Sequence, residues 1–453
     1  MNLLADDIKV LLRRLAIPAS VGTLFQTLYN VVDSFFAGKI SPEALSALSK
    51  SFPIYFIIVG TCIGVTVAST SLIANSIGES NEEKTLNYFT HSIYFGIIIS
   101  IIIAFIGLTY ADNIFDIMVT STEVKSLGLE YTNIIFAGSI VFILVVCLNA
   151  LLHAEGDTKT YRNLLILSFF LNIILNPIFI FGFLFIPAMG VKGIAIATII
   201  SQFISLLIIF QKILKNKRVK QLSSKYFNPK FEYFKNLLFQ SVPITVSISA
   251  SSFAFTVVIT YVGNFGEYAV AGYGAGERFV HVMLLPVLGL NTAIVSIIGQ
   301  NFGANNYERI KEAYFTAIKY GVSIMIISGF IVYFIADIII GIFSNNLDVI
   351  ESGKQYLKIQ TFAFPAYTIF FMCNGFFIGL KKAEYAMVSN LIRNFAIPVI
   401  VYYIAVKMTV SLNTFFWLWS LSNIIYSALI LLFVIFFIKN KLDKSGAVVQ
   451  PEH

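Results

Sequence analysis

Charge is what this 453-residue chain has least of: Asp, Glu, Lys and Arg make up 12% of it, about half of the roughly 25% usual in soluble domains. A soluble fold of this size must cover its surface with polar side chains, so a single water-facing domain is excluded. Cysteine is scarce too. Cys62, Cys147 and Cys373 lie far apart in apolar runs, which leaves neither a disulfide framework nor a metal site. None of the 4 His residues has a companion at metal-ligand spacing. Also missing are a Gly-Lys-Ser/Thr phosphate loop and the paired aspartates that a membrane prenyl transferase would need for Mg²⁺, so the chain does not read as an enzyme and no cofactor is expected. No short apolar run with a small-residue cleavage site opens the chain, and no cleaved signal peptide is expected.

What the chain has instead is apolar surface. Hydrophobic residues make up 57% with 44 Phe among them, and the mean hydropathy is +0.83. A helix needs about 20 apolar residues to cross the hydrocarbon core. Twelve segments meet that requirement: approximately 15–38, 51–76, 87–109, 128–151, 162–183, 190–212, 237–261, 273–299, 312–335, 355–379, 385–406 and 414–438. The expected fold class is therefore an all-α integral membrane protein with twelve transmembrane helices.

The two halves of the chain repeat at an offset of 225. Pro18 maps to Pro243, Gly38 to Gly263, Gly78 to Gly303, Asn81 to Asn306, Gly96 to Gly321, Ala111-Asp112 to Ala336-Asp337, Tyr131 to Tyr356 and Asn149 to Asn374. Past Asn149 the pattern slips by two, so that Asn163 pairs best with Asn390. Six spans fall in each half, so the repeat is parallel, an arrangement of secondary transporters with a cavity between two lobes. The expected organisation is a six-helix lobe over 1–211, a basic linker over 212–236, a second six-helix lobe over 237–440 and a tail over 441–453.

The linker holds Lys212, Lys215, Lys217, Arg218, Lys220, Lys225, Lys230 and Lys235. By the positive-inside rule it is cytoplasmic, and with an even number of spans per half both termini are too. The expected location is the cytoplasmic (inner) membrane, multi-pass. The basic residues read as topology and connection rather than as a lipid- or nucleic-acid-binding segment, and a monomer in the lipid bilayer is the expected form.

Polar residues within the spans carry the functional signal, because a charge at membrane depth is costly and rarely kept without a role. Asp33 stands in the outer half of the first span, about four turns beyond Pro18. Gln26 and Tyr29 precede it at spacings of seven and four, on one helical face. In the fifth span Asn172 and Asn176 lie four apart with Pro177 following, and Thr198 in the sixth reaches a comparable depth. A carboxylate, two amide oxygens and a hydroxyl suit a desolvated Na⁺, and the same carboxylate suits a proton. Without Asp33 the asparagines would read as interhelical hydrogen bonds. The second half is not a chemical copy: Val258 stands at the repeat position of Asp33, and Glu277, Arg278 and Arg393 form its expected polar cluster.

Leu28 to Gly38 (LYNVVDSFFAG), the Gly299–Asn305 run (GQNFGAN) and Asn172…Asn176-Pro177 together resemble the multidrug and toxic compound extrusion (MATE) antiporters along the whole chain. The resemblance implies two six-helix lobes around a cavity, exporting cationic or amphipathic small molecules in exchange for Na⁺ or H⁺. It assigns the essential acid to Asp33, with Asn172, Asn176 and Thr198 as cation-coupling residues, Asp33, Asn172 and Asn176 being the Na⁺ ligands if Na⁺ is the ion. Gln26, Tyr29 and Asn149 fall to the substrate pocket. Two departures stand out: Asn176 occupies a position where some members carry Asp, and the seventh span has no acid. The alternative reading is a flippase for a lipid-linked precursor, which would need several cationic residues in its cavity, and only Arg278 and Arg393 offer that here.

Overall fold

The computed structural model describes residues 1–118 and 121–442. Sixteen α-helices account for most of them. The first half contains α1 (Ile8–Ile40), α2 (Pro42–Gly78), α3 (Glu82–Ile117), α4 (Thr122–Ala137), α5 (Ser139–Ala154), α6 (Lys159–Phe181) and α7 (Val191–Leu214). After the linker come α8 (Phe231–Gly263), α9 (Glu267–Met283), α10 (Leu285–Gly303), α11 (Tyr307–Gly341), α12 (Leu347–Gln360), α13 (Phe364–Gly379), α14 (Ala383–Leu391), α15 (Ile397–Lys407) and α16 (Leu412–Phe437). Among the described residues the one extended pairing is a bridge between Phe183 and Ile186.

By length and composition ten segments can cross a membrane, and α4 with α5, bent by 42°, makes an eleventh. The 33-residue α1 completes the twelve expected; Gln26, Asn30 and Asp33 interrupt its apolar run. Several expected spans are broken rather than straight, and proline marks most of the breaks. Pro286, Pro365 and Pro398 sit in the first turns of α10, α13 and α15, where a residue without an N–H costs least. The break ahead of α15 is a π-helical turn over Ile392–Ala396. The α4–α5 break falls at Gly138, and its repeat mate Ala363 closes the 3₁₀ turn between α12 and α13.

The chain forms two compact units, Val21–Thr245 and Met1–Ser20 with the chain from Val246 onward. Each has its own apolar core. These limits differ from those drawn from sequence at 211 and 237, for they fall inside α1 and α8, two or three residues after Pro18 and Pro243. Leu11, Leu12 and Leu15 of α1 belong to the core of the unit that contains the second half. Of the tail, residues 443–453 lie outside the described residues.

The repeat is written into the backbone. Three pairs of positions with left-handed φ stand 225 apart: Ser80 with Asn305, Gly156 with Lys381, and Leu184 with Thr409. In the first pair the following asparagine, Asn81 or Asn306, caps the next helix by accepting from the N–H three residues on. The second and third pairs keep the offset of 225 at the near and far ends of α6 and its counterpart, so the slip by two read from sequence is absent at these turns. Phe105 and Phe330, also repeat mates, each expose 68% of their surface, as apolar side chains facing lipid do.

Small residues let the helices approach. α9 and α12 cross where a Cβ on Gly272 would lie 2.6 Å from the Gly353 nitrogen and 2.7 Å from the Val349 oxygen. Both obstacles are backbone and cannot yield. We expect Gly272→Val to destabilise the protein by about 3 kcal/mol through overpacking, seen as a lower unfolding temperature of the purified protein. Gly274→Val, where a Cβ meets open space, should leave that temperature nearly unchanged.

Candidate functional site

The first unit gathers Asp33 from α1, Asn172 and Asn176 from α6, and Thr198 from α7. Spacing explains the α6 pair: residues four apart lie one above the other on a helix face, and here both are fully buried. Asp33 is 5% exposed. Its Oδ1 accepts from Asn172 Nδ2 at 2.9 Å and from Asn176 Nδ2 at 3.0 Å, while its Oδ2 accepts from Thr198 Oγ1 at 3.3 Å. Asn176 Nδ2 also donates to Asn172 Oδ1 at 3.0 Å, and Asn176 Oδ1 is buried with no partner among the described residues. Pro177 continues α6 beyond this point but has no N–H to give to the carbonyl one turn earlier.

Among the described residues no Lys, Arg or His pairs with Asp33; its neighbours are neutral donors. Three such bonds to an ionised acceptor are worth about 1.5–3 kcal/mol each, enough to hold a carboxylate where burial alone would expel its charge. A cavity of about 260 Å³ reaches Asp33 and is lined by Asn30, Ser34, Leu48, Ser49, Tyr55 and Tyr131. A negative charge beside two phenol rings in a small cavity can attract a cation directly and through the ring faces.

Tyr29, one turn before Asp33, is buried and faces Thr198 and Ser201, with no close hydrogen bond among the described residues. Gln26 is exposed and stands outside the group. At its level α1 meets α6 through Phe25, whose ring lies 5.3 Å from Phe169, and Gln26 is left uncovered. Asn149 is fully buried in α5, but its partner is His153 Nε2 at 3.2 Å, one turn away on the same helix. The hydrogen bonds of Asn149 therefore do not join those of Asp33. The cavity residues Tyr55, Ser49 and Ser34 carry no spacing signal in the sequence, whereas Asn30 carries an unused one, three residues before Asp33 on the same helix face. Tyr131 did carry one, its repetition at Tyr356, which served only to set the register.

In the second unit Arg393 sits in the π-helical turn, donates from Nε to Asn423 Oδ1 at 2.8 Å, and stacks 4.3 Å over Phe370 and 4.8 Å over Tyr367. Glu277 accepts from the Tyr273 hydroxyl at 3.3 Å and is near enough to attract Arg393. Arg278 is exposed. The expected three-residue cluster is thus a two-residue one, because consecutive helical positions diverge by about 100°.

Both halves of the chain, residues 18–178 and 243–404, match the MatE family model, and the protein belongs to that family. It is 26% identical over 457 residues to the probable multidrug resistance protein NorM of Thermotoga maritima, an alignment covering 98% of this chain and 95% of that one. It is 26% identical over 387 residues to the multidrug export protein MepA of Staphylococcus aureus, with 85% of each covered. A crystal structure of MATE in the bent conformation superposes with a TM-score of 0.91 at 27% identity over 98% of both chains. The protein is a multi-pass membrane transporter of the multidrug efflux class, not an enzyme, and its substrates are small molecules.

The donors around Asp33 differ in length, and their contributions should differ accordingly. Asn172→Ala is expected to cost about 2 kcal/mol in unfolding of the purified protein, and Thr198→Val, which removes the longer contact, less. In an Asp33→Asn background both costs should shrink, a coupling that a double-mutant cycle reads directly.

Proposed function

We propose that this transporter is a cation-coupled antiporter that exports cationic or amphipathic compounds across the cytoplasmic membrane by alternating access, with Asp33 as its coupling group. The observation that carries this reading is one carboxylate held by neutral donors from α6 and α7 at the wall of a cavity. The basic linker argues for its own cytoplasmic placement and that of both termini. The multidrug names of the relatives support the substrate class.

Ionised Asp33 attracts a cationic compound entering the cavity. A proton or Na⁺ bound at Asp33 cancels that attraction, so drug and cation compete for one charge, and competition across two faces of a membrane is antiport. A proton occupies a carboxylate oxygen and displaces one of the present donors. Na⁺ takes oxygen ligands. Turning the two asparagine amides over would offer it Asn172 Oδ1 and the unpartnered Asn176 Oδ1 beside the carboxylate and Thr198 Oγ1. Either event loosens the bonds that tie α1 to α6 and α7, which links cation binding to movement of α1. A flippase reading is not favoured: Arg278 is exposed and Arg393 is engaged by Asn423 and two aromatic rings.

The test is drug efflux from proteoliposomes with Na⁺ and pH gradients imposed separately. Wild-type protein should respond to one of the two, and Asp33→Asn, which keeps the shape and removes the charge, should abolish the response while still folding. Drug affinity should fall as pH falls if the ion is a proton, or as Na⁺ rises at constant pH if it is Na⁺. Gradient-driven efflux retained in Asp33→Asn would refute the assignment.

A further inference from the structure

The linker is not a loose tether. Asn216 Nδ2 and Arg218 Nε grip the two oxygens of Glu155 at 2.7 and 3.1 Å, and Arg218 also pairs with Glu82. Burial lifts the Glu155 carboxyl above its ordinary range, against the pull of Asn216 and Arg218. Further along, Thr90 and Tyr94 of α3 donate to the carbonyls of Tyr226 and Phe227 at 3.0 and 3.1 Å, and the Lys230 N–H donates to His91 Nε2 at 2.9 Å. Asn236 closes the strap on the Tyr88 hydroxyl at 2.9 Å. Val219 and Tyr226 turn inward and are buried.

With those side chains fixed, the others have one direction left. Lys220, Lys225, Lys230 and Lys235 are all exposed; Phe231, 80% exposed, stands between the last two, and Phe239, 63% exposed, follows one turn after Lys235. Lysine nitrogens lie 4.8 Å over Tyr226 and 5.9 Å over Tyr233 and Phe239. The α8 helix begins at Phe231 and runs 33 residues, about 50 Å, against a hydrocarbon core of about 30 Å. Its apolar run starts near 237, so its opening turns project about 9 Å beyond that point, to headgroup level. Aromatic rings and lysines at that depth are the chemistry of a membrane interface.

We propose that the strap is a docking surface for anionic phospholipid headgroups of the adjoining leaflet, with Lys225, Lys230 and Lys235 as phosphate contacts and Phe231 and Phe239 inserted between acyl chains. The exposed phenylalanines decide for lipid over nucleic acid, since a nucleic-acid surface at the same lysines has no use for rings at the start of a membrane span. The surface is independent of the Asp33 site and of the coupling ion.

The experiment uses the full-length transporter in detergent with mixed phosphatidylcholine and phosphatidylglycerol, counting retained lipids by native mass spectrometry. Each lysine near an anionic surface contributes about 1 kcal/mol, a factor of about five. Wild-type protein should retain phosphatidylglycerol preferentially. The triple variant Lys225→Gln, Lys230→Gln, Lys235→Gln should lose that preference by roughly 100-fold, and the matching Arg variant should keep it. The Lys230 backbone bond to His91 survives either change, and an unchanged unfolding temperature checks that the strap stays docked. Glycerol phosphate added in excess should not displace the lipid, because it lacks the chains that Phe231 and Phe239 hold. Equal retention of the two lipids by the wild type, an unaltered preference in the Gln variant, or displacement by glycerol phosphate would each overturn the proposal. Tight binding of a single-stranded RNA through the same lysines would overturn it in favour of a nucleic-acid surface.

Discussion

A single buried carboxylate organises the first unit. Asp33 ties α1 to α6 through two amides and to α7 through a hydroxyl, and without those donors its charge would not survive at membrane depth. The asparagines are in turn fixed by each other. Neutral donors matter here more than an ion pair would. A lysine or arginine against Asp33 would neutralise it permanently and leave nothing for a mobile cation to do, whereas amides and a hydroxyl stabilise the charge yet let it go. In the proposed mechanism, stability and exchange therefore rest on the same contacts.

The internal duplication shows how a common backbone carries unequal chemistry. Left-handed turns recur at Ser80 and Asn305, at Gly156 and Lys381, and at Leu184 and Thr409, so the path of the chain is the same in both halves. The side chains are not: Val258 is buried at the position of Asp33, and the second unit's charge sits instead at Glu277 and Arg393, each with its own hydrogen-bond partner. A charge whose attractions are already met within the protein has little left for a passing ion, while Asp33 has no such counterion.

Much of this was legible in the residues because the membrane makes polar side chains conspicuous. The meeting of Asp33, Asn172, Asn176 and Thr198 follows from depth and helical spacing, since each lies in an apolar run of known direction. Burial did not follow from spacing alone: Gln26 shares a face with Asp33 yet is exposed, because Phe25 makes the local contact with α6. The exact breaks within long spans were hidden in the same way, although Pro286, Pro365 and Pro398 marked three of them. The strap was the least legible part. Its lysines announced a membrane face, but nothing in the run of charges separated Arg218, turned inward to Glu155, from the lysines turned outward. The limits of the units, placed inside α1 and α8, also depend on contacts between distant segments that no local pattern records.

The most direct test of the account is the cation-to-drug stoichiometry of transport, measured in proteoliposomes at zero membrane potential as the drug gradient at which net flux vanishes against a set cation gradient. With Asp33 as the sole coupling carboxylate, one monovalent cation should exchange per transport cycle, and the flux should reverse where a one-for-one exchange balances. A stoichiometry of two or more cations would require a second coupling acid and contradict the account.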